Sequence, residues 1–110
     1  MKAVEYSRFL DKIMETDFET VSLSYAFSLK LEYLFLCSNL SLFEFSLTVN
    51  LNYSYLNDLL RGRKHISLNK LECVASGLQV NIVDLFDFTP LIIMKEEQCF
   101  IKYPIFETMF

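Results

Sequence analysis

At 110 residues and 13.0 kDa the chain is one domain's worth, and its 53% apolar and 22% charged residues exclude wholesale disorder. The formal net charge of −4 is uneven: residues 1–39 and 81–110 are acidic, and the middle holds Arg61, Arg63, Lys64 and Lys70 against Glu44, Asp58 and Glu72. Charge-free stretches such as Tyr33–Phe43 and Phe45–Asn57 fall short of the roughly 18–20 residues that span a bilayer, and Glu5, Asp11, Glu15, Asp17 and Glu19 do not suit a signal peptide, so a soluble, cytoplasmic protein is expected, with no membrane partner.

Tyr6, Phe9, Leu10, Ile13 and Met14 share one face of a predicted amphipathic helix, with Arg8, Asp11, Lys12 and Glu15 on the other. The apolar stripe reads as a core face, with a dimer contact as the alternative. After a polar joint at Asp17–Ser24, a second helix is expected from about Tyr25 to Cys37. It is apolar nearly all round (Phe27, Leu31, Leu34, Phe35), as buried helices are. Ser41 and Glu44 form a capping box stapled by Leu40 and Phe45, and Asn52 caps the next helix with Leu51 and Leu56 as its staple. Asn50 suits the left-handed turn between these helices, and Gly62 the position that ends the second. Ser67 heads a helix presenting Leu68, Leu71, Val74, Ala75 and Leu78 on one face. Asn81 and Asp84 repeat the capping box, with Val80 and Leu85 as staple, before a short helix through Phe88 that Pro90 stops. Two β-favouring runs, Leu91–Met94 and Cys99–Tyr103, flank the polar Lys95–Gln98 and suggest a short hairpin.

Scarcity excludes chemistry. Gly62 and Gly77 are the only glycines, too few for a phosphate-binding glycine loop. Cys37, Cys73 and Cys99 are odd in number and far apart, and the single histidine, His65, has no C-x-x-C partner. Neither a zinc site nor a disulfide framework is indicated, and buried reduced thiols are the expected reading of all three cysteines. No nucleophile–base–acid set is visible. No enzyme, cofactor or metal is expected.

The run Leu40–Arg63, with Phe45, the small Ser46, the turn residue Asn50, then Leu51, Leu56, Leu59 and Gly62, resembles the helix-turn-helix of the phage repressor and Cro (XRE) family. The resemblance extends through Ser67–Ala75 and Val80–Leu85 and covers roughly residues 29–87. It implies an all-α fold with a five-helix repressor-like helix-turn-helix domain over 29–88, and the amphipathic helix read from residues 6–14 makes 1–28 a helical extension before it. A C-terminal extension over 89–110 would carry the hairpin, a possible dimerisation element. By resemblance, Asn52–Leu60 is a recognition helix for the major groove of double-stranded DNA. Tyr53, Ser54, Asn57 and Asp58 would read bases, Asn57 suiting adenine and Asp58 cytosine. Asn52, Arg61, Arg63, Lys64 and His65 would touch phosphates, contacts that supply affinity and position rather than sequence choice.

A solvated loop is the plain alternative for the basic run, and an ordinary polar face for the outward positions. The expected function is a sequence-specific transcriptional regulator acting as a homodimer on an operator. The alternative is the same fold used for protein–protein interaction, as in an antirepressor or an inhibitor of a host protein. Three departures from the family favour the alternative. Leu42 stands where the family has a phosphate-anchoring Gln, Leu60 replaces an acidic residue and Phe35 a basic one. Either the N-terminal 28 residues cover these positions or another protein does. The 11 Phe and six Tyr exceed what a small domain can hide, which also points to a partner surface.

Overall fold

A computed structural model of the chain describes residues 3–102, with side chains over residues 4–98. All regular structure among them is helical: α1 (Ala3–Glu15), α2 (Leu23–Ser38), α3 (Leu42–Thr48), α4 (Tyr53–Leu60), α5 (Leu68–Leu78), α6 (Ile82–Leu85) and α7 (Thr89–Lys102). No single described helix is long and apolar enough to cross a membrane.

Helix starts follow capping chemistry. Ser41 Oγ accepts the Glu44 N–H at 3.1 Å, and a Glu44 carboxylate oxygen accepts the Ser41 N–H at 3.0 Å, completing the expected box. Asn52 Oδ1 accepts from the Ser54 and Tyr55 amides, Ser67 Oγ from Lys70, and the Asn81 N–H donates to Asp84. Ser22 Oγ accepts the Tyr25 N–H at 3.2 Å, so α2 begins two residues before the expected Tyr25.

Four helices end on left-handed residues: α2 at Asn39, α3 before Asn50, α4 before Gly62 and α5 at Gln79. After α3, the Asn50 N–H reaches the Leu47 carbonyl and the Leu51 N–H the Ser46 carbonyl. After α4, Gly62 and Arg63 repeat the pattern on Leu59 and Asp58. Each is a Schellman pair, one tighter bond inside a wider one, and it fixes the direction in which the chain leaves the helix.

The apolar residues form two clusters that share α2. Phe27 and Leu31 join Phe45, Val49, Leu51, Leu56, Leu59, Leu71, Val74, Ala75 and Leu85 in one; Leu29 and Leu36 join Phe9, Ile13 and Leu91 in the other. Half-buried Phe35 touches both. A helix with partners on opposite sides needs apolar residues all round, which explains its sequence. Gly77 lets α5 approach the end of α3: a Cβ there would stand 2.0 Å from the Thr48 carbonyl oxygen.

Four expectations need correction. The described part of Leu91–Tyr103 is helical rather than a hairpin, because α7 continues to Lys102; Tyr103 lies outside the described residues. The apolar Leu91 and Met94 are spaced i, i+3, which serves a helix face as well as a strand, and Leu91 is buried against α1 and α2. Pro90 does not stop α6, which ends at Leu85. It occupies the first turn of α7, where a missing N–H costs nothing. Leu68 is 79% exposed, because the first residue of α5 projects beyond the cluster. Cys37 is an exposed thiol and Cys73 a half-buried one, so burial does not explain either; the Cys99 side chain lies outside the described set.

Candidate nucleic-acid interface

Residues 52–70 hold the α4 cap, α4 itself, the basic loop and the first turn of α5. Asn52 Oδ1 is engaged as the α4 cap, and Tyr53 and Ser54 stand exposed immediately after it. Asn57 and Asp58, one turn further on, are half-buried. Neighbouring residues on a helix point about 100° apart, so these two lead to different flanks of α4.

The Asp58 flank is the basic loop. Arg63 Nη1 lies 3.9 Å and Lys64 Nζ 4.0 Å from the Asp58 carboxylate. The Arg63 and Lys64 side chains stay at least half exposed, so these pairs are loose and solvent-screened. Tyr55 organises the same flank. Its hydroxyl donates to the His65 carbonyl at 3.2 Å, and Lys70 Nζ and Lys64 Nζ sit 3.7 and 5.3 Å from its ring centre. His65 Nδ1 is hydrogen-bonded to Ser24 Oγ at 2.5 Å, which ties the loop to the first turn of α2. Arg61, Arg63, Lys64 and His65 are therefore exposed on a loop pinned at three points: the Gly62 Schellman turn, the Tyr55 hydroxyl and Ser24.

The Asn57 flank is a cleft of about 250 Å³ between α1 and α4. Asn57, Leu60 and Arg61 line it from α4, Leu42 from α3, Glu32, Phe35 and Leu36 from α2, and Glu5, Arg8 and Lys12 from α1. The three apolar departures, Phe35, Leu42 and Leu60, thus converge on its floor, half-buried and packed against the core. Lys12 pairs with Glu32 at 2.9 Å across the α1–α2 contact.

Sequence reasoning therefore named the α4 residues and the basic loop that the fold brings together. It missed Lys70, placed by its contact with Tyr55, and Arg8 and Lys12 of α1. Nothing local in the chain signals that α1 lies beside α4, since some 45 residues separate Arg8 from Tyr53. Among the described residues no group of three or more His, Cys, Asp or Glu side chains is arranged to hold a metal ion.

Comparison with protein-family models, with curated protein sequences and with solved structures gave no match.

Proposed function

We propose that the chain is a sequence-specific DNA-binding transcriptional regulator of the helix-turn-helix type, acting as a homodimer on an operator. One observation carries the reading: α4 leads with exposed Tyr53 and Ser54 and is flanked by a basic loop whose backbone is held by the Gly62 turn and the Tyr55 hydroxyl, and whose His65 side chain is held by Ser24. A helix laid in the major groove reads base edges with its N-terminal residues, and fixed cations beside it hold the phosphates. In this reading Tyr53, Ser54 and Asn57 face bases, while Arg61, Arg63, Lys64 and Lys70 face the backbone. Regulation follows from occupancy of the site and requires no chemistry.

A second reading has its own support. Phe43 and Leu47, spaced i, i+4 on α3, are 52% and 69% exposed, and the chain is acidic overall. Such a surface suits a protein partner, with the fold serving as an interaction module.

Selection from a random duplex library, followed by titration of the enriched duplex at several salt concentrations, separates the two. A two-fold symmetric site whose affinity falls steeply with salt supports the regulator. No enriched sequence and a flat salt response overturn it in favour of the interaction module.

A further inference from the structure

A helix in the major groove has a sugar–phosphate strand on each side of it, because the groove is only about 12 Å wide. One cationic flank is therefore half of what such a helix requires. The loop after α4 supplies Arg63, Lys64 and Lys70 on the side of Tyr55 and Asp58. On the opposite side, Arg61 shares the cleft with Arg8 of α1. Both arginines are exposed, and neither is paired with a carboxylate among the described residues. The cleft's third cation, Lys12, is already neutralised by Glu32.

Resting on the regulator reading, we propose that α1 is part of the DNA interface, with Arg8 and Arg61 gripping the phosphate strand on the Asn57 side of α4. The apolar floor of Leu42, Leu60 and Phe35 follows from this arrangement. Leu42 offers no donor to an anion, and the donors that share its cleft are Arg8 and Lys12 of α1 and Arg61 of the loop. Arg8 lines the same cleft as that floor and is exposed, and a long guanidinium side chain can span apolar surface while keeping its charge in solvent. Glu5 lines the same cleft, so this flank carries an acidic group beside its arginines, as the loop carries Asp58.

The test is the salt dependence of binding to the enriched duplex, measured for Arg8→Ala, Arg63→Ala and an exposed α1 control outside the cleft, Ser7→Ala. Each phosphate contact contributes about 0.9 to the slope of log affinity against log salt. Arg8→Ala is therefore expected to flatten the slope by about 0.9, which reduces the affinity lost between about 50 and 200 mM salt by roughly 3.5-fold. Arg63→Ala should behave alike, Ser7→Ala should leave the slope unchanged, and Arg8→Lys should largely restore it. A flattened slope in Arg63→Ala with an unchanged slope in Arg8→Ala overturns the role of α1 and leaves the regulator standing. Failure to enrich any duplex overturns both.

Discussion

Asp58 and Asn57 are adjacent on α4 but are placed differently toward an incoming anion. Asp58 lies within 4.0 Å of both Arg63 and Lys64, so at neutral pH it offsets part of the charge that would hold phosphate. Its role in the DNA reading is therefore to restrain non-specific affinity. Asp58→Asn is expected to tighten binding to every duplex and steepen its salt dependence, as a filter-binding titration would record. Weaker binding with preference lost at one base would instead return Asp58 to base reading. Asn57 carries no charge, and its substitution acts on choice. Asn57→Ala should cost about 1–3 kcal/mol at one position of the enriched site and flatten preference there, while leaving the salt slope unchanged. A repeat of the duplex selection with the variant checks this, and an unaltered site removes Asn57 from base readout. Gly77 acts through packing alone. A methyl group on it meets the Thr48 carbonyl, which belongs to backbone and cannot swing aside. Gly77→Ala should therefore destabilise the fold by at least about 1–3 kcal/mol, read as a lowered urea midpoint, even though alanine is the better helix former.

At the scale of the element, the capping box at the start of α3 gives a pH prediction. The hydrogen bonds from Ser41, backbone first and side chain second, hold the Glu44 carboxyl below its ordinary 4.5. A carboxyl whose pKa is lower folded than unfolded contributes stability that is complete above the unfolded value. That contribution is lost as pH falls through the folded one. Glu44→Gln keeps an oxygen for the Ser41 N–H but has nothing to titrate. The difference in melting temperature between wild type and Glu44→Gln should shrink as pH drops from about 6 to about 3, and a constant difference would refute the assignment.

This box was legible in the sequence because its partners are three residues apart, as were the left-handed Asn50 and Gly62. The elements read wrongly are those whose state depends on distant contacts. The start of α2 is not decided by its sequence, since Thr20, Ser22 and Ser24 can each cap; in the fold Ser22 Oγ takes the Tyr25 N–H while Ser24 Oγ is hydrogen-bonded to His65. Leu91–Met94 satisfies a strand or a helix equally, and the choice falls to α1, which presents Phe9 and Ile13 to Leu91. The candidate site divides in the same way: α4 and its loop come from one local pattern, whereas Arg8 and Lys70 enter through tertiary contacts that no spacing encodes.

At the scale of the whole molecule, α2 decides how the parts depend on one another. The cluster holding α3 to α6 takes Phe27 and Leu31 from it; the cluster holding α1 and α7 takes Leu29 and Leu36. Phe35 lies between them, with its ring centre 5.4 Å from that of Phe45. Loosening one cluster must therefore loosen the other, since both hold the same helix in register. Lys95 reinforces the α1–α7 layer by donating to the Thr16 carbonyl at the end of α1. Leu91 is wholly buried in that layer, more than one element away from α4 in the chain. Leu91→Ala is expected to cost about 2–5 kcal/mol, the range for a truncated core leucine. Because α2 is shared, the loss should appear as one cooperative transition at lower urea, with far-ultraviolet circular dichroism and tyrosine fluorescence moving together. Two separated transitions would mean that α1 and α7 form a layer that melts independently of α3 to α6. In that case Arg8 would not be held beside α4 firmly enough to share a phosphate strand with Arg61.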